Sequence, residues 1–213
     1  MRTITRTTNP PVCLAQQTAG QDWYAFMETD CYNLVGDSLR DEQHDVCCYC
    51  ELAIAEDDSH IEHLAPRSVD PGQTYDYGNL AASCNGGTVD HCGHFKDDRH
   101  RNPNSRYDVV RFCRPHDPPT SRLFRYLPNG DVAPARGLSL QEQQKAVYMI
   151  EYLGLTCSRL TGRRHAHARA LIQTLGSNPA DNIRQWATRY YLQPDQNGKL
   201  RSFHSLSRTI LAP

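Results

Sequence analysis

Between Cys47 and Lys96 the chain gathers two sets of side chains with the chemistry to bind metals and phosphates. Cys47 and Cys50 have the CxxC spacing, in which the intervening turn brings both sulfurs to one side and lets them chelate one tetrahedral ion. Cys84 and Cys92 are the natural second pair. Seven residues separate them where a knuckle has two, and Asn85-Gly86-Gly87 lets the chain turn tightly enough to bring them together. Cys48 competes with its neighbour but faces away if Cys47 and Cys50 point inward. The set predicts a closed structural zinc with no open position for water. Buried thiols or a redox CxxC are the alternatives; the redox reading calls for a helix starting inside the motif and a βαβ context, and neither is evident.

The second set is His60, Glu62, His63, Asn79, His94 and Lys96. Phosphodiester hydrolysis needs a water to be deprotonated and a leaving 3′ oxygen to be stabilised. A neutral histidine such as His63 does the first near pH 7, and a divalent cation does the second as a Lewis acid. Glu62 offers that cation a hard oxygen ligand and His94 a second ligand. His60 is an alternate ligand, two residues from Glu62 on the same strand face. Asn79 is placed to hydrogen-bond across a loop and hold His63, and Lys96 to meet a phosphate. Each residue alone has a bland explanation as a turn residue or a surface charge; the ordered set points to a nuclease-type site.

The elements that must carry these residues are short. Residues 1–11 read as an extended arm, and residues 12–39 as helices broken near Gly20 and Gly36. Strands are predicted at Cys50–Ala55 and His60–Ala65. RLFRYLPNGDVAP predicts a hairpin turning at Pro128–Asp131. Ser139 and Glu142 form a capping-box signature, a helix is predicted over 158–175, and Pro179 is expected at a first helical position. The expected organisation is an N-terminal arm and helical scaffold (1–46), a metal-bearing core (47–106), a Pro-rich connector with a hairpin (107–137) and a helical region (138–213).

Composition is that of a globular protein: 38% hydrophobic and 22% charged residues over 213 positions. The opening twenty residues lack the apolar run of a signal peptide, and no stretch approaches a membrane span, so a cytoplasmic protein is expected. Cys13, Cys31, Cys113 and Cys157 stand apart and are expected to be small buried thiols. A net charge of −1 conceals a polarised chain. Residues 1–98 hold five Lys and Arg against seventeen Asp and Glu, whereas residues 99–213 hold eighteen against seven. The basic half can face a polyanion, through Arg99, Arg101 and Arg106 or through a helix bearing Arg159, Arg163, Arg164 and Arg169. A solvated surface is the competing reading.

CxxC, EH, NL, a cysteine pair and a lysine follow the order of the zinc-bearing HNH endonucleases. The chain resembles, more narrowly, the PtuB-type HNH proteins of Septu and retron-associated anti-phage systems. The likeness lies in MRTITRT, CYCE (48–51), HIEHLAPRS (60–68), YGNLAASCN (77–85), CGHFK (92–96) and FRYLPNGDVAP, and is weakest beyond about residue 175. It implies an α+β fold: a ββα-metal finger on a four-cysteine zinc, embedded in N- and C-terminal helical segments. It also implies His63 as general base, Asn79 as the central asparagine, and Glu62 and His94 as ligands of Mg²⁺ or Mn²⁺. One departure stands out. The general pattern puts the last ligand directly after the final cysteine, where this chain has Gly93. The family further implies an ABC/SMC-like ATPase partner, PtuA, and a retron RNA–DNA in the same complex. The chain has no GxxxxGK[ST] of its own, and the acidic residues 12–46 are the candidate docking segment. A zinc-stabilised adaptor without catalysis and a stand-alone restriction-type nuclease are the alternative functions.

Overall fold

The computed structural model describes residues 1–87, 90–177 and 179–212. At its centre β1 (Ser59–His63) pairs antiparallel with β2 (Leu80–Cys84), His63 opposite Leu80 and Ser59 opposite Cys84. A six-residue helix, α3 (Cys92–Asp97), follows and packs on β2. This small ββα arrangement carries most of the chemistry-bearing residues. β2 has the sequence LAASC and is buried at every position, so it lacks the polar alternation that marks a half-exposed strand. That is why it escapes the sequence reading. The strand expected at Cys50–Ala55 is instead a loop with a single bridge, Val46 to Ala53.

Two helices precede the sheet, α1 (Trp23–Met27) and α2 (Asp30–Gln43). The Thr29 side chain caps α2 by accepting from the Tyr32 amide, and His44 ends it in the left-handed region at φ 56°. The break expected at Gly36 does not occur. Glycine costs about 1 kcal/mol inside a helix, which burial of Val35 and Leu39 on either side of it offsets. Gln43 then closes the free edge of β2: its side-chain amide donates to Ala82 O and accepts from Ala82 N, each at 2.8 Å.

The second half begins with the expected hairpin, β3 (Phe124–Tyr126) with β4 (Val132–Pro134). α4 (Leu140–Tyr152) starts at a complete Ser139–Glu142 capping box, and α5 covers Ser158–Leu175. α6 (Asp181–Leu192) and α7 (His204–Leu211) finish the chain. Pro179 precedes the N-cap Ala180, so Asp181 takes the first helical position expected for the proline. One core runs from Met1 and Ile4 through α2 and the cysteine turn to α4, α5 and Phe203. All four expected segments therefore share an interior.

Two of the solitary cysteines are corrected. Cys13 and Cys31 form a disulfide, their Cα atoms 5.9 Å apart, which joins the turn before α1 to the start of α2. They are eighteen positions apart in sequence, and no local pattern announces the pairing. Cys113 is a buried free thiol as expected, and Cys157 is half-buried. Among the described residues no helix is long and apolar enough to cross a membrane.

Candidate active site

The four expected cysteines converge. The Sγ atoms of Cys47, Cys50, Cys84 and Cys92 all lie within 4.8 Å of one another, with Cys47 to Cys92 at 3.8 Å and Cys50 to Cys84 at 3.7 Å. A regular tetrahedron with metal–sulfur bonds of about 2.3 Å has edges of about 3.8 Å, so the cluster fits a tetrahedral metal. Cys48 is buried but lies outside the four. Burial pushes up the Cys50 and Cys92 thiols, whereas the surrounding thiols, outweighing burial, lower Cys47 well below its ordinary value. Metal binding requires the thiolate form, which the surrounding thiols favour at Cys47. Cys92 accepts a left-handed φ of 64° to join the cluster, its amide donating to Leu153 O at 2.8 Å. Sequence reasoning missed the groups behind it: Ser83 Oγ lies 3.8 Å from Cys47 Sγ, and His91 Nδ1 lies 3.2 Å from Cys92 Sγ and 3.7 Å from Cys84 Sγ.

The metal-fit of the second set rests on Glu62. It sits on β1, 3% exposed, yet lines a cleft of about 310 Å³ together with His60, His63, Gly93 and His94. Its Oε1 accepts from Tyr49 Oη at 2.9 Å and faces Lys96 Nζ at 3.3 Å. Burial alone would raise its pKa, but Lys96, His60 and Tyr49 hold it at about 2, so a full negative charge is kept inside the fold. His60 Nε2 lies 3.4 Å from Glu62 Oε2, and its Nδ1 lies 3.1 Å from Asn85 Oδ1. A carboxylate and an amide oxygen both accept, which favours the protonated ring. Its pKa is accordingly raised, burial being outweighed by Glu62 and then Asn85.

His63 ends β1 and lines the same cleft as Glu62. Its Nε2 lies 3.0 Å from Thr74 O, and a carbonyl oxygen can only accept. The proton is therefore on Nε2, and Nδ1 keeps its lone pair. The ring meets the Trp23 ring edge-on at 4.3 Å. Burial drives its pKa down to about 4 against the Thr74 bond, which leaves the ring neutral at pH 7.

Asn79 is fully buried and holds the loop around that histidine. Its Oδ1 accepts from Ala65 N at 2.8 Å, and its Nδ2 donates to Ala65 O at 3.1 Å and Gln73 O at 3.2 Å. These bonds fix both the segment leaving His63 and the segment presenting Thr74. Asn79 thus ties together the two segments that flank His63.

The chain is similar to a retron-associated HNH protein. It is 26% identical over 160 residues, covering 73% of each chain, to "Retron Vc95 putative HNH endonuclease" of Vibrio cholerae serotype O1 biovar El Tor. No protein-family model matches. The likeness supports an HNH endonuclease reading of the chain, and with it a nuclease.

Viewed as an HNH site, Gly93 has a physical explanation. A Cβ at this position would stand 2.6 Å from His60 Nε2 and closer still to Glu62 Oε2. His60 and Glu62 fill the space that a ligand at residue 93 would use. His94 is exposed and stacks on His60, ring centroids 3.9 Å apart. Among the described residues, two groups of three or more His, Cys, Asp or Glu have ligand atoms within 4.8 Å of one another, and neither contains Glu62, His60 or His94.

Two expected phosphate contacts are corrected. Lys96 is 0% exposed, and its ammonium is taken by Glu62 and by Asp97 Oδ1 at 2.7 Å, so it is an internal counter-ion. Arg164 is also 0% exposed; its Nη1 donates to Leu155 O at 2.6 Å, and its guanidinium lies near the Tyr126 and Phe203 rings. Both faced inward because their helices pack into the core, a fact charge counting cannot register. Arg163 is exposed but lines a separate cavity with Asn85, Gly87 and Arg159. Arg99 is exposed beside the cleft. Arg67, which lines the cleft and lies over the Trp23 and Tyr24 rings at 5.2 and 5.8 Å, was not singled out although it stands in HLAPRS.

Proposed function

We propose that this protein is a metal-dependent HNH endonuclease of the PtuB type, hydrolysing phosphodiester bonds of nucleic acid. The observation that carries this reading is the state of His63: neutral, its proton fixed on Nε2 by Thr74 O, its Nδ1 free in a cleft that also holds an ionised Glu62. In this reading His63 Nδ1 takes the proton of the attacking water, and Trp23 limits solvent access to the ring. Asn79 keeps Thr74 and the His63 backbone in register. Glu62 with His94 or His60 would hold Mg²⁺ or Mn²⁺, which when bound supplies Lewis-acid stabilisation of the leaving 3′ oxygen. Binding of a cation by Glu62 and His60 would displace the proton they share, so metal uptake would release protons. The four cysteines would hold zinc as a structural ion, with residues 47–106 as the catalytic unit.

The biological setting is read from the same likeness. We infer an effector nuclease of an anti-phage system, acting in the cytoplasm with a PtuA-type ATPase and a retron RNA–DNA. The support is the retron association in the relative's name and the absence of a P-loop motif in this sequence. The test is cleavage of DNA and RNA by the purified chain, alone and with the ATPase, in Mg²⁺ or Mn²⁺. His63→Ala is expected to abolish cleavage while leaving bound zinc unchanged. Equal cleavage by the variant would sink the assignment and leave a zinc-stabilised adaptor; full activity without the ATPase would favour a stand-alone nuclease.

A further inference from the structure

A groove of about 700 Å³ adjoins the cleft, and the two share Arg67 and Asp97 as walls. Arg67, Arg99 and Arg106 line it beside Ser68, Ser105 and Tyr107. Among the described residues none of these three guanidinium groups has a carboxylate within ion-pair distance. Their neighbours differ: Arg101 pairs with Asp98 at 3.6 Å and Arg111 with Asp108 at 2.7 Å. Asp97 supplies the one carboxylate lining the groove, and Lys96 Nζ neutralises it. Three unpaired cations kept together beside a hydrolytic cleft leave a repulsion that a polyanion would relieve.

The other wall of the cleft is apolar. Tyr24 is 71% exposed and Met27 is also exposed, both on α1 and both lining the cleft. Cationic side chains that track a backbone, combined with exposed aromatic rings that stack bases, are the features of single-strand binding. A duplex has its bases stacked on one another and offers none to Tyr24.

Resting on the nuclease reading, we propose that the groove is a track for one single strand of nucleic acid. Its phosphates lie on Arg67, Arg99 and Arg106, and a base next to the scissile bond stacks on Tyr24. The basic α5, with Arg164 buried and Arg163 on another cavity, is not the track.

The experiment reads binding, so it stands apart from catalysis. Full-length His63→Ala protein is titrated with labelled single-stranded and duplex oligonucleotides of one sequence, by fluorescence anisotropy, from about 50 to about 200 mM salt. Single strand is expected to bind more tightly than duplex. Adding Arg99→Ala and Arg106→Ala should weaken it at least tenfold and flatten the plot of log affinity against log salt by about 1.4, at about 0.7 per lost phosphate contact. Tyr24→Ala should weaken single-strand binding about tenfold and leave the salt slope unchanged. Unchanged affinity and slope in the double-arginine variant would overturn the track, and tighter duplex binding would overturn the single-strand assignment. Hydrolysis of bis(p-nitrophenyl) phosphate by the unsubstituted chain is measured separately. Its absence would count against the nuclease reading, while the binding data still decide the track.

Discussion

Lys96 illustrates how strongly a single residue's meaning depends on burial. In the sequence it is a cation two positions beyond a histidine, placed to meet a phosphate. In the fold its ammonium is enclosed and faces Glu62 Oε1 at 3.3 Å, with the Tyr152 ring 5.9 Å away. Its pKa is raised, burial being outweighed by Glu62 and Asp97, so the pair remains ionised. Removing one partner of such a pair leaves the other charge buried and uncompensated, which costs about 3–5 kcal/mol. Lys96→Met is therefore expected to lower the urea unfolding free energy by about that amount. The same change should also raise the pKa of Glu62, because its largest favourable neighbour is gone. A loss under about 1 kcal/mol would place Lys96 among ordinary surface charges. Arg164 follows the same logic at the four-cysteine cluster. It is buried, no carboxylate lies within ion-pair distance of it among the described residues, its Nε and Nη2 have no hydrogen-bond partner, and burial lowers its pKa. A tetrahedral Zn²⁺ with four thiolates carries two negative charges, which a buried guanidinium would offset.

Among the elements, β1, β2 and α3 are too short to fold on their own, and the cysteine cluster ties them together. Cys84 ends β2, Cys92 opens α3, and Cys47 and Cys50 bring in the turn whose Glu51 amide donates to Cys47 O at 3.1 Å. Without a metal, four buried sulfurs lie within 4.8 Å of one another with no cation between them. Chelation, or Cys50→Ser with Cys84→Ser, is expected to abolish the cooperative thermal transition, read by circular dichroism alongside zinc released to a colorimetric indicator. A transition that survives complete zinc release would show that α2 and α4 alone hold the sheet. The gathering of this unit was legible because metal ligation and proton transfer demand particular residue types: Cys47, Cys50, Cys84 and Cys92 converge as their spacing predicts, and Glu62 and His63 line one cleft. Local patterns with their own signals were legible too, such as the Ser139 capping box and the hairpin at Phe124. What could not be read depends on contacts distant in sequence. β2 is uniformly buried and so shows no period; Gly36 passes unbroken through α2 because its neighbours are in the core; Cys13 finds Cys31 through the packing of the Val12–Gln16 turn on α2. Gly93 looked like a missing ligand, and only the position of His60 and Glu62 shows that a side chain there would have to push both aside.

At the scale of the whole molecule, the acidic first half and the basic second half are folded against each other. Asp90 pairs with Arg159 at 3.2 Å and Asp45 with Lys199 at 2.8 Å, and the deepest link is made by Glu51. Its carboxylate is buried and meets the Met1 ammonium at 3.0 Å, Ser205 N at 2.7 Å and Ser205 Oγ at 2.6 Å. Three parts far apart in sequence, the N-terminal arm, the cysteine turn and α7, therefore depend on one anion. Burial would raise its pKa, but the Met1 ammonium and the two Ser205 bonds outweigh this and hold it at about 2, against an ordinary value of 4.5. A carboxylate depressed in the folded state stabilises it fully above the unfolded pKa, and the contribution is lost as pH falls through the folded one. The depression corresponds to about 3 kcal/mol wherever the Met1 amine, whose own pKa burial lowers, stays protonated. Glu51→Gln should thus be destabilised by about 3 kcal/mol at pH 7 relative to the parent chain, and the gap should narrow as pH falls from about 4.5 toward about 2. Urea unfolding of both proteins in saturating zinc, followed at several pH values, measures it. A gap that stays constant across that window would mean that the glutamate acts through packing alone, and that the two halves are held together by their shared apolar core.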